Sequence, residues 1–144
     1  MHTEQHAKSD RVRERTFSCT PDQVGQARRW AASVYADAGA DPDVCLLLVS
    51  EVATNCVLHA GGGWFKVRID VHELWIEVWD ESWVLPQRRV ADETSENGRG
   101  LELLAMLAEG YEYVLGTAGK AVCFQPKVAL AGDPGLPRTR GEAT

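Results

Sequence analysis

The sequence predicts an α+β fold: a two-layer sandwich with helices on one face of a mixed, mostly antiparallel sheet. Three observations carry that prediction. The run "FKVRIDVHELWIEVWD" over residues 65–80 alternates apolar and polar side chains, as a sheet with one buried face requires. Helix signals precede it and follow it. Strand candidates arrive in adjacent pairs joined by short turns, which favours antiparallel pairing.

Each element has its own justification. Residues 1–14 are charged and read as a flexible arm, residues 15–126 as the folded domain, and the Pro- and Gly-rich residues 127–144 as a disordered tail. "RTFSCT" is a short strand candidate. Thr20 reads as a helix cap with Pro21 at the first helical position, and that helix stops near Gly39. Asp41 and Pro42 start a second helix, which ends at Gly61, Gly62 and Gly63. In the hairpin, Phe65, Val67, Ile69 and Val71 share one face and Lys66, Arg68 and Asp70 the other. After a tight turn at His72 and Glu73, Leu74, Ile76 and Val78 alternate with Trp75, Glu77 and Trp79. Residues 81–97 lack periodicity, and a loop of that length in a compact domain points to function. "GRGLELLAMLAEG" reads as a helix with Leu101, Leu104, Met106 and Leu107 on its apolar side. "YEYVLGT" and "AVCFQ" read as the last two strands.

Composition sets outer bounds. The chain has 144 residues, 44% hydrophobic and 25% charged, which suits one domain with its own core. A net charge of -6 argues against general nucleic-acid binding. The four cysteines (Cys19, Cys45, Cys56, Cys123) form no CxxC pair. Cys45 and Cys56 are eleven residues apart, close to three helical turns, and so share an inward face. Neither a signal peptide nor a membrane span is legible, so the expected location is cytoplasmic.

The stretch "SEVATNCVLHA" carries Glu51, Asn55 and His59 four residues apart within an apolar segment. At 100° per residue, Asn55 falls about 40° and His59 about 80° from Glu51. The stripe is narrow and hemmed by hydrophobes. Unpaired buried polar groups are costly, so these side chains either pair within the fold, face solvent or line a pocket. Asp80 and Ser82 stand where the hairpin meets the loop, a place for hydrogen-bonding a ligand or for a plain strand-end acid. Gly98 and Gly100 precede a helix start, which favours anions. No third glycine makes this a dinucleotide fingerprint, and no GK[ST] makes it a P-loop. Ser82 with His59 as nucleophile and base lacks a nucleophile elbow.

In order and element type these motifs resemble the GHKL superfamily, the ATP-binding fold shared by gyrase, histidine kinases and anti-sigma serine kinases. The run from Glu51 through Asn55 and His59 to Ala60 resembles the N box. The run from Val78 through Asp80 to Ser82 resembles the adenine-binding aspartate motif, and Gly98, Arg99, Gly100 and Leu101 resemble the glycine box. The likeness covers roughly residues 16–125 and is strongest to small anti-sigma-factor serine/threonine kinases of bacteria.

The resemblance implies roles. Asn55 would hold Mg²⁺, Glu51 would orient or deprotonate the attacking hydroxyl, and Asp80 would accept the adenine amino group. Gly98, Arg99 and Gly100 would wrap the ATP phosphates under a lid formed by residues 81–97, with His59, Ser82 and Leu101 nearby. The implied protein partners are a sigma factor and an anti-sigma antagonist. One departure concerns the last strand: Ala121 stands where such proteins carry a threonine near the adenine. From the hairpin pattern, Trp75 and Trp79 lie on the open sheet face, a surface for a partner or a homodimer. Two readings follow: a Mg-ATP-dependent protein kinase, favoured by Glu51, and a nucleotide-sensing module without turnover, favoured by Ala121.

Overall fold

The computed structural model describes residues 11–59, 63–81, 99–117 and 119–127. In chain order these give β1 (Val12–Ser18), α1 (Pro21–Asp37), α2 (Asp43–His59), β2 (Trp64–Asp70), β3 (Trp75–Asp80), α3 (Arg99–Leu107), β4 (Ala108–Leu115) and β5 (Lys120–Pro126). The five strands form one sheet in the order β1-β2-β3-β5-β4. Every pairing is antiparallel, so the sheet predicted as mixed or mostly antiparallel is wholly antiparallel among the described residues.

Strand parity decides which side chains meet the helices. Phe65, Val67 and Ile69 alternate with half-buried Trp64, Lys66, Arg68 and Asp70. Ile76, Val78 and Asp80 alternate with Trp75, Glu77 and Trp79. Residues directly opposite in an antiparallel pair share a face. Phe17, Phe65 and Asp80 are thus aligned on the covered face, as are Ile76 and Phe124. The helices lie on that face: α1 against β1 and β2, α2 against β3 and β5, α3 against β4 and β5. The core between the layers holds Tyr35, Leu48, Val49, Phe65, Ile69, Ile76 and Phe124, all fully buried. Phe17 stacks on Phe65 at 5.3 Å between ring centroids, and Trp30 of α1 meets Phe17 edge-on at 6.2 Å.

Element boundaries depart from the sequence pattern at four places. Strand β1 begins at Val12, within the segment assigned to the arm, because β2 offers a partner out to Asp70 and Arg11 pairs with the Asp70 carboxylate at 2.9 Å. Thr20 precedes α1 without a side-chain cap bond; its carbonyl accepts the Gln23 N–H instead. Asp41 does cap α2, its Oδ1 accepting the Asp43 N–H at 2.9 Å. The hairpin turn is longer than two residues. Asp70 Oδ1 accepts the N–H groups of His72 and Glu73, and Leu74 takes a left-handed φ of 62°. Val71 and Leu74 therefore belong to the turn and not to the strands. Helix α3 stops at Leu107 and β4 starts at the next residue, so Glu109 and Gly110 are strand. Met106, expected on the apolar side of α3, is 64% exposed, while Leu104 is 2% exposed.

Candidate functional site

The stripe on α2 has a graded exposure. Val52, Ala53 and Cys56 are buried, Glu51 and Asn55 are half-buried, and His59 at the helix end is exposed. Glu51 and Asn55 therefore run along the margin of the buried face and His59 emerges from it. What fixes α2 over the sheet at this end is Cys56. Its thiol donates a hydrogen bond to the Asp80 carboxylate, and burial followed by the Asp80 charge and that bond push the thiol pKa well above its ordinary value.

Asp80 ends β3 on the covered face and is 3% exposed. Its partner across the ladder is Lys120, the first residue of β5. The ammonium sits 2.9 Å from Oδ1 and 2.8 Å from Oδ2, and both side chains are nearly buried. A buried charge is tolerated only when paired and hydrogen-bonded, and this pair meets both conditions. Gly119 makes the approach possible. Its φ is 154°, and a Cβ there would collide with the Asp80 carbonyl oxygen. Cys19 completes the floor: burial raises its thiol pKa, as do the charges of Asp80 and Glu81, against the opposing Lys120.

This geometry corrects the reading of the last strand. Ala121 stands opposite Trp79, so it belongs to the other face of the sheet from Asp80. It does not replace a side chain beside the base acceptor; Lys120 occupies that place. Sequence reasoning missed Lys120, Cys19 and Cys56. Parity held the signal: if Val122 faces the core with Val78, then Lys120 does too.

Arg99, Gly100 and Leu101 form the first turn of α3. Ser82 and Gly98, and all but Glu81 of the predicted lid, lie outside the described residues. Glu81 accepts the Trp64 N–H at 3.3 Å. Among the described residues no group of three or more His, Cys, Asp and Glu is placed to hold a metal ion. No described helix is long and apolar enough to cross a membrane.

The open face of the sheet carries Lys66, Arg68, Trp75, Glu77 and Trp79 in the register expected. Glu77 accepts Arg68 Nη1 at 3.0 Å and Trp79 Nε1 at 2.8 Å. Trp79 lies against Gly116 and Trp75 near Gly110, so both rings are half-buried rather than fully exposed. A cavity of about 300 Å³ on this face is lined by Arg68, Asp70, Trp75, Glu77 and Glu112, with Val12 and Cys123.

Comparison with known families gives a match to the histidine kinase-like ATPase domain over residues 17–125. No curated protein matches the chain.

Proposed function

The chain belongs to the histidine kinase-like ATPase domain family, and from that premise we propose that this ATP-binding regulatory protein is a serine/threonine kinase of the anti-sigma-factor type. The observation that supports it is the placement of two oxygen-bearing side chains, Glu51 and Asn55, half-buried along α2 beside the residue that holds Asp80. An amide oxygen is a hard donor of the kind Mg²⁺ takes together with phosphate oxygens, so the residues fit the ion. Asn55 would hold it, and when bound it would neutralise charge on the phosphates. Asp80 accepts the base, and the start of α3, with Gly98, Arg99 and Gly100, receives the phosphates through its N–H groups. His59, exposed at the end of α2, would border this space, and the resemblance assigns Ser82 and Leu101 to it as well.

In the transfer, the acceptor hydroxyl oxygen bonds to the γ-phosphorus. The bond to the β,γ-bridging oxygen breaks, and ADP leaves with that electron pair. The hydroxyl proton passes to Glu51. The acceptor is a serine or threonine of an antagonist protein, and the alternative partner is a sigma factor. The open face of the sheet is the surface offered for a second copy of the chain.

Calorimetry with ATP and ADP, with and without Mg²⁺, tests the reading. Mg²⁺-dependent binding by the unaltered chain and its loss in a folded Asn55→Ala variant are expected; unchanged binding in the variant removes the metal role. The buried Lys120–Asp80 pair supports a second reading, a nucleotide-sensing module without turnover. Labelled γ-phosphate on a protein hydroxyl favours the kinase, and binding without transfer favours the module.

A further inference from the structure

We propose that Lys120 limits the affinity of the nucleotide pocket: by holding both oxygens of Asp80, it competes with the base for the acceptor that reads it. The inference rests on the proposed reading of Asp80 as the acceptor for the base, and concerns how far that acceptor is available. Asp80 and Lys120 are opposite each other in the β3–β5 ladder, so both leave the sheet on the helix-covered side. The ammonium lies 2.9 Å from one carboxylate oxygen and 2.8 Å from the other. The Cys56 thiol donates to the same carboxylate from α2. A carboxylate offers about four acceptor directions on its two oxygens, and these contacts from within the chain take up most of them.

The ammonium is also hard to move. The Lys120 side chain is 7% exposed and that of Asp80 5%. The Lys120 backbone has no room to retreat, because Gly119 packs so closely on Asp80 that a Cβ would collide with the Asp80 carbonyl. A base that takes Asp80 for itself must therefore swing the Lys120 stem aside. Separating a nearly buried pair leaves each charge without its partner. A base that leaves the pair intact meets a carboxylate already satisfied. In both cases the adenine amino group contributes little. A hydrogen bond to a charged group in want of a partner is the stronger kind, and Lys120 removes that want. The phosphates, received at the start of α3 in the proposed reading, stand outside this competition.

Calorimetric titration of the full chain with ADP and with purine riboside 5′-diphosphate, which lacks only the 6-amino group, tests this. In the unaltered protein the two are expected to bind within about threefold of each other. A wider gap means that Asp80 is open to the base, and it overturns the inference. In Lys120→Thr the shorter side chain frees at least one carboxylate oxygen. There ADP is expected to bind about tenfold tighter than to the unaltered protein, with the analogue unchanged, so that the gap opens to about tenfold. An ADP affinity that is unaltered or weaker in a folded Lys120→Thr protein also overturns it. Either overturning result leaves the ATP-binding reading intact, since ADP still binds. The comparison of the two ligands uses the unaltered protein, so it stands even if Lys120→Thr fails to fold. If neither protein binds ADP, the ATP-binding reading fails and this inference falls with it.

Discussion

Two tyrosines show how much a single hydroxyl depends on its partner. Tyr35 is fully buried, and its hydroxyl donates to the Leu74 carbonyl at 2.7 Å, tying α1 to the hairpin turn. The Tyr113 hydroxyl is buried without a hydrogen-bond partner among the described residues, and its pKa is pushed up to about 12 by burial and then by Tyr111. Removing a satisfied group leaves its partner stranded, whereas removing an unsatisfied one relieves a cost. Tyr35→Phe is therefore expected to lower stability by about 1–2 kcal/mol, and Tyr113→Phe to change it by less than about 0.5 kcal/mol or raise it. Urea titration of both variants checks the contrast. The four cysteines are free and buried. Burial pushes Cys45 to about 12; burial, then Glu77 and Glu112, push Cys123 to about 12. An unfolded thiol ionises near 9.0, so above that pH the unfolded chain has lost protons that the folded one keeps. The thiols' contribution to stability is full below pH 9.0 and is lost as pH rises toward about 12. A melting temperature that holds to about pH 9 and then declines is expected, with a shallower decline in Cys45→Ala.

At the scale of elements, the meeting of β3 and β5 depends on Gly119. A methyl group there would strike the Asp80 carbonyl, and its φ of 154° suits few other residues. Gly119→Ala is expected to lower stability by about 1–3 kcal/mol and to weaken nucleotide binding along with it; thermal melts with and without ADP measure both. The same elements show what the sequence could reveal. Alternation identified Phe65, Val67, Ile69, Ile76 and Val78 on the covered face of β2 and β3, because period two fixes the face once one side is apolar, but it carried the strands too far, into Val71 and Leu74 of the turn. The Asp41 cap and the shared inward face of Cys45 and Cys56 follow from local chemistry and helical pitch. The β1 and β4 boundaries do not. Val12 and Ala108 are strand because Asp70 and Pro126 stand opposite them, and such long-range partners leave no mark in a local window. Asp80 was legible as an acid at a strand end. Its ion pair was not, since that requires knowing that β5 inserts between β3 and β4.

For the whole molecule, the two sides of the sheet have different tasks. The covered side carries the core and the Asp80–Lys120 floor, while the other presents Trp75 and Trp79 over glycines, with Glu77 braced by Arg68. If that open face joins two copies, replacing both tryptophans by serine is expected to halve the mass seen by light scattering at micromolar concentration. A monomer mass before and after removes the dimer. The stripe of Glu51, Asn55 and His59 was legible from spacing, but its graded burial was not, because that depends on how far α2 leans over β3 and β5. The junction of α3 and β4 has a mechanical consequence. Leu107 ends the helix and Ala108 begins the edge strand, with no residue between them. With no loop between them, an axial shift of α3 is expected to pass into β4, and the irregular pairing between Ala108 and Gly110 is the place that takes up part of it before it reaches Tyr111 and Leu115, which are 41% and 59% exposed.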